Sequence, residues 1–102
     1  MAGKSVPYDD DLNAWLQNPE NAAQYLTAIL EEDDLDALLL AIRDVAKAQG
    51  GMAAVAERSH IGREALYKML SGKGNPAFKG VASILHGMGL KLSVTTEQRT
   101  SL

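Results

Sequence analysis

The chain has 102 residues, of which 46% are hydrophobic, and this indicates a folded protein with one modest core rather than a disordered segment. It contains no cysteine, which excludes disulfides and thiolate metal sites, and no apolar run approaches the roughly 20 residues that span a bilayer. We therefore expect a cytoplasmic protein without a membrane segment.

The formal net charge of −3 conceals a division between the two halves of the chain. Residues 1–50 carry ten acidic and three basic side chains, whereas residues 51–102 carry three acidic and seven basic ones. Such asymmetry suggests two faces with different partners. Charges that simply cover solvated helix faces would give the same count, so charge alone leaves both interpretations open.

The N-terminal quarter of the sequence predicts two helices. Leu12, Trp15 and Leu16 recur with the helical period, and we expect Trp15 to belong to the core of the N-terminal helices. Asn18-Pro19 is typical of an N-cap followed by the first residue of a second helix, the position that proline tolerates best.

The third predicted helix has the clearest helical period in the chain. It begins at a cap, Asp33 or Asp34, and ends at Gly50-Gly51. Leu40 lies off its apolar stripe, so we expect another apolar contact, from the N-terminal helices, to cover it. We divide the chain into an N-terminal helical extension (1–33), a second helical domain (34–95) and a flexible tail (96–102).

Two short helices are predicted at about residues 52–59 and 63–70, with a tight turn between them. A pair of this kind needs a small residue where the helices cross, a turn residue able to take a positive φ and an apolar side chain after it. Ala56, His60 and Ile61 occupy these places. His is among the residues enriched at positive φ, although glycine is the usual choice.

The second helix of this pair would bury Leu66, Met69 and Leu70 and leave a polar side suited to the DNA major groove. An ordinary helix pair with a solvated polar face would show the same pattern. Arg63 could pair with a guanine edge or a phosphate, and Glu64 could accept from a cytosine amine or orient Arg63. The other candidate DNA-binding residues are Tyr67 and Lys68 for the DNA backbone, Ser71 on the same exposed side, and Lys73 and Asn75 for phosphates in the loop that follows.

The C-terminal part predicts a last helix and a short strand. Asn75-Pro76 repeats the N-cap signal, and residues 90–95 then alternate with Leu90, Leu92 and Val94 on one side. A lone strand cannot satisfy its own backbone hydrogen bonds, so we expect it to pair with the same strand of a second subunit in a homodimer. Pairing with the sheet edge of another protein is the alternative.

Several stretches of the sequence resemble known families. "VAER" at residues 55–58 and "SGKGNP" at residues 71–76 resemble the helix-turn-helix of the Cro and phage-repressor (XRE-type) superfamily. His60 departs from that pattern, which usually has glycine in the turn. More narrowly, the chain resembles the addiction-module antidote (antitoxin) family in "LLAIRDVAKA" at 39–48, "GREALYKML" at 62–70, "GNP" at 74–76 and "GMGLKLSV" at 87–94.

The resemblance implies an all-α fold, a five- to six-helix bundle of the phage-repressor-like DNA-binding type with a short C-terminal β-strand. In this fold residues 34–95 would be the helix-turn-helix DNA-binding domain, and the extension, residues 1–33, would be the candidate for facing a partner. It also implies the antitoxin of a type II toxin-antitoxin module, an autorepressor that binds double-stranded operator DNA and neutralises a small basic toxin of the RelE/ParE-like class. A phage-type regulator without a toxin is the alternative. The candidates for the toxin-facing surface are Glu31, Glu32, Asp33 and Asp34, whose charges helix termini would also explain.

The sequence shows no constellation for catalysis. His60 and His86 are the only imidazoles, and neither has a carboxylate or second histidine at ligand spacing. The glycine pairs at 72–74 and 87–89 do not lie between a strand and a helix, as a phosphate-binding loop would. We therefore expect neither an enzyme nor a metal or cofactor site.

Overall fold

The computed structural model describes residues 8–97, with side chains described from residue 10. This part of the chain is all-helical, as predicted, and none of its helices is long and apolar enough to cross a membrane. The elements are α1 (Tyr8–Leu16), α2 (Pro19–Leu30), α3 (Leu35–Ala48), α4 (Met52–Ser59), α5 (Arg63–Met69) and α6 (Phe78–Gly87).

Side-chain caps begin α2 and α3, as the sequence predicts. Asn18 accepts a hydrogen bond from the Glu20 amide at 2.9 Å, and the proline after Asn18 is the first residue of α2. Asp34, rather than Asp33, caps α3 by accepting from the Ala37 amide at 3.0 Å. Because each cap satisfies a backbone donor that would otherwise lack a partner, the start of each of these helices is fixed by local sequence.

The start of α6 differs from the prediction. Asn75-Pro76 does not cap this helix, which begins at Phe78 after Ala77, and Ala77 makes no side-chain capping bond. This helix packs mainly against α4, where Gly87 lies against Ser59. Gly80 lies so close to the Met69 side chain that a Cβ at this position would collide with it. The helix is thus held by packing against other helices rather than by a side-chain cap.

One hydrophobic core receives side chains from all six helices. Trp15 is an exception to the prediction, because it remains 42% exposed and only meets the edge of the Tyr25 ring, with 6.5 Å between the ring centroids. The largest fully buried side chains are Leu16, Ile42, Val45, Val55, Leu66, Leu70 and Ile84.

Two polar side chains connect the C-terminal ends of three helices. The Gln49 amide donates to the carbonyl oxygens of Leu16 and Gln17, at 3.0 and 3.2 Å, where α1 ends. Arg58 of α4 donates to the carbonyl oxygen of Gln49 at 2.7 Å and, from Nε, to that of Gly87 at 2.8 Å. Donors at these positions satisfy the free carbonyls of helix ends, so α1, α3 and α6 are joined around α4.

Residues 90–97, which follow α6, form neither helix nor strand. The strand predicted for residues 90–95 is thus absent from the single chain, since no other extended segment within residues 8–97 runs beside it to share backbone hydrogen bonds. Leu90 packs partly against the core, whereas Leu92 and Val94 are 39% and 96% exposed.

Candidate nucleic-acid interface

The turn between α4 and α5 sets the angle of the helix pair. His60 has φ 58° and ψ 40°, which confirms the predicted left-handed conformation at this position. The amides of His60 and Ile61 donate to the carbonyl oxygens of Glu57 and Ala56, at 3.2 and 3.0 Å, and so close the end of α4. Ala56 is buried and Ile61 packs partly against the core, so the turn is held from inside.

The buried Leu66 defines the faces of α5. Each residue turns by about 100° around a helix axis, so Glu64 and Lys68 lie on the side opposite Leu66, and both are exposed. They are four residues apart and therefore neighbours on one face. This outer face is the part of α5 that a DNA groove could reach first.

Arg63 and Tyr67 lie on a different flank of α5, the one that faces α3. Both are exposed, but the Cζ atom of Arg43 in α3 lies 5.7 Å from the centroid of the Tyr67 ring. A guanidinium at this distance is attracted to the ring face. The predicted DNA-contacting residues of α5 thus occupy two adjacent flanks rather than one. Arg43 lies beside the second flank, although the sequence pattern did not indicate it as a site residue.

The loop after α5 holds the remaining predicted DNA contacts. Ser71 Oγ accepts a hydrogen bond from the Lys73 amide at 3.2 Å, so this hydroxyl shapes the loop, while the side chains of Lys73 and Asn75 are exposed. Gly72, with φ 84°, lies against Leu40 of α3. Leu40 is therefore covered in part by this loop, a contact that the sequence analysis did not predict.

The comparison with known proteins decides the family. Residues 8–96 match the model of a family described as "probable addiction module antidote protein". The chain belongs to this family. An uncharacterized protein of Haemophilus influenzae is 38% identical over 86 residues, which make up 84% of this chain and 88% of that protein. No solved structure gives a significant match.

The acidic residues predicted to face a partner form the connection between α2 and α3. All four, Glu31 to Asp34, are exposed, and Asp33 takes a left-handed conformation with φ 58°. Their neighbours Leu30 and Leu35 are 42% and 63% exposed. Residues 8–42 contain nine acidic side chains and no basic one, so this region of the antidote protein combines negative charge with exposed apolar side chains.

The described residues form no group of three or more His, Asp or Glu side chains that could hold a metal ion. An open depression of about 310 Å³ lies beside the end of α6, lined by His86, Gly89, Leu90 and Lys91. It borders the segment that was predicted to form the dimer strand.

Proposed function

We propose that the chain is the antitoxin of a type II toxin-antitoxin module, a DNA-binding autorepressor that also neutralises a small basic toxin of the RelE/ParE-like class. One observation carries the proposal: a protein of the antidote family presents two short helices, joined through the left-handed His60, with a charged outer face on the second. The proposal makes it a binding protein rather than an enzyme, acting in the cytoplasm.

In this proposal the α4–α5 pair is a helix-turn-helix and α5 is its recognition helix. Arg63 at the start of α5 would pair with a guanine edge or a phosphate, and Glu64 and Lys68 on the outer face would meet base edges and backbone. Lys73 and Asn75 would bind phosphates from the loop. The seven basic side chains of residues 51–102 support this use of the C-terminal half, since phosphate contacts depend on lysine and arginine.

The toxin would dock on the acidic N-terminal half, which includes the 1–33 extension. Complementary charge speeds the encounter with a basic partner, and the exposed Leu30 and Leu35 offer the apolar contact area that a stable complex also needs. The region from residue 8 to residue 42, with nine acids and no base, supports this assignment.

A homodimer would follow from residues 90–95. This segment has exposed Leu92 and Val94 and no strand partner within the described chain, so pairing with the same segment of a second subunit would satisfy its backbone groups. A two-fold dimer could place its recognition helices about 34 Å apart, one turn of B-DNA, on a palindromic operator.

Co-expression with the adjacent gene tests the proposal. We expect the product of that gene to be a small basic protein that co-purifies with the chain, and we expect both together to protect DNA in their shared promoter. Protection without a basic partner would favour a phage-type regulator with no toxin. A chain that protects no promoter DNA, alone or with the neighbouring product, would refute the autorepressor assignment.

A double variant of the outer face of α5 separates DNA binding from toxin binding. Glu64→Ala with Lys68→Ala removes two exposed side chains from α5 and leaves the buried Leu66 in place, so the fold should be retained. It should lose the footprint but still co-purify with the toxin. Loss of both activities in a variant that melts as the wild type does would contradict the separation of the two surfaces.

A further inference from the structure

Arg43 is a cation whose hydrogen bonds are incomplete. Its Nε atom is buried and has no hydrogen-bond partner within the described residues. The adjacent Asp44 carboxylate does not accept a hydrogen bond from Arg43 Nε. It accepts one from the Tyr25 hydroxyl at 3.0 Å. A buried guanidinium nitrogen without an acceptor is unfavourable, because it has lost its hydrogen bonds to water and forms none with the protein.

Two contacts place Arg43 beside the proposed recognition helix. Its guanidinium lies over the ring of Tyr67, and Leu40, one turn earlier in α3, lies against Gly72. Residue numbers thus rise along α3 as they fall along α5 and its loop, so the two segments run antiparallel here. Arg43 therefore stands at the flank of α5 beside Tyr67.

We infer that Arg43 binds a backbone phosphate of DNA and that Tyr67 positions it for this contact. The inference rests on the proposed DNA-binding function. A phosphate would bind at the two terminal nitrogens of the guanidinium, which unlike Nε are not buried and make no hydrogen bond within the described residues. These nitrogens form a planar fork of donors that matches two phosphate oxygens. Tyr67 then acts through Arg43, as a positioning residue, and does not read a base.

The salt dependence of binding to duplex DNA tests the inference, because a phosphate contact adds about 0.9 to the slope of log Kobs against log salt. A random-sequence duplex serves as the probe, since this contact does not depend on base sequence. Arg43→Gln should reduce the slope by about 0.9 and weaken binding roughly eightfold at about 0.1 M salt. Arg43→Lys keeps the charge, so its slope should stay near that of the wild type.

Lys47 offers the matched control. It lies one turn further along α3, is exposed, and borders Leu12 and Asn13 of α1 instead of α5. Lys47→Gln removes the same charge and should leave the slope unchanged. Equal slope changes in Arg43→Gln and Lys47→Gln would overturn the inference, because they would indicate a general electrostatic field and no specific contact.

Other outcomes also decide the matter. An unchanged slope in an Arg43→Gln protein that melts as the wild type does would overturn the inference, as would weakened binding of the toxin alone. If Arg43→Gln does not fold, Tyr67→Leu decides in its place: a reduced slope supports the positioning role, and a wild-type slope contradicts it. A wild-type protein without salt-dependent DNA binding would instead refute the proposed function itself.

Discussion

Arg58 donates a hydrogen bond to the carbonyl oxygen of Gln49 at 2.7 Å, and α4 thereby holds the end of α3. The same side chain reaches the Gly87 carbonyl oxygen at the end of α6. Arg58 counts among the exposed residues, yet it links segments that lie far apart in the sequence. Exposure alone would therefore underestimate its contribution to stability.

Replacing Arg58 with alanine should lower the free energy of unfolding by about 2 kcal/mol, because two helix-end carbonyls lose a charged donor. Arg58→Lys should recover part of this loss, since an ammonium group can reach only one of the two carbonyls. Urea denaturation measures both variants. Arg63→Ala is the control, an exposed arginine whose loss should change stability by less than about 0.5 kcal/mol. If Arg58→Ala and Arg63→Ala unfold at the same urea concentration, Arg58 does not stabilise the fold by linking the ends of α3 and α6.

Replacing His60 with glycine should stabilise the protein by about 0.5–1 kcal/mol. A left-handed conformation costs a residue with a Cβ about 1–2 kcal/mol, and the greater freedom of glycine in the unfolded chain cancels only part of that gain. His60→Ala retains the Cβ and should not be stabilised. Thermal or urea denaturation compares the three proteins, and a glycine variant less stable than the wild type would show that the turn carries no such strain.

Replacing Asp34 with alanine should cost about 1 kcal/mol of stability, the usual effect of removing an N-cap. Asp34→Asn keeps the side-chain oxygen that accepts from the Ala37 amide but removes the charge, so it should stay within about 0.5 kcal/mol of the wild type. The pair separates capping from any part that Asp34 has in binding a partner. Equal destabilisation by both variants would mean that charge, not the cap, stabilises the start of α3.

On DNA, Arg63 and Lys73 should behave differently. Arg63→Ala should lose about 1–3 kcal/mol of specific binding, whereas Lys73→Ala should weaken all sequences alike and reduce the salt slope by about one. Gel-shift titrations against operator and random duplexes at several salt concentrations measure both effects. The base-reading assignment fails if Arg63→Ala binds operator as tightly as the wild type.

Reversing the charge at Glu31 and Glu32 should slow toxin association and leave operator binding intact. Both side chains are exposed, so the effect should be largest at low salt, where surface charges are least screened. Stopped-flow or biosensor association rates, with a footprint of the same protein, measure the two activities. A parallel loss of operator binding would show that the acidic and basic halves do not act as separate surfaces.

The elements that the sequence predicted well depend on interactions within a few residues. Asn18 and Asp34 cap helices that begin directly after them, and the left-handed turn at His60 follows from its place between two short helices. Asn75 carried the same local signal as Asn18 but did not cap a helix. The position of α6 depends on packing against other elements, mainly α4, which no short-range pattern contains.

The sequence predicted most residues of the candidate site but not how they are arranged relative to α3. The sequence placed Arg63, Glu64, Tyr67 and Lys68 on one polar side of a helix, but it could not tell that α3 would lie against part of that side. Arg43 was missed for the same reason. An arginine off the apolar stripe of a helix resembles any solvated cation until the neighbouring helix is known.

The continuous core has a consequence for proteolysis. Side chains of α1 and α2 pack in the same core as those of α4, α5 and α6, and the exposed turn between α2 and α3 is an accessible place for a protease to cut. Neither fragment from such a cut would retain a complete interior. We therefore expect a single cleavage there to destabilise the acidic and the basic surface together.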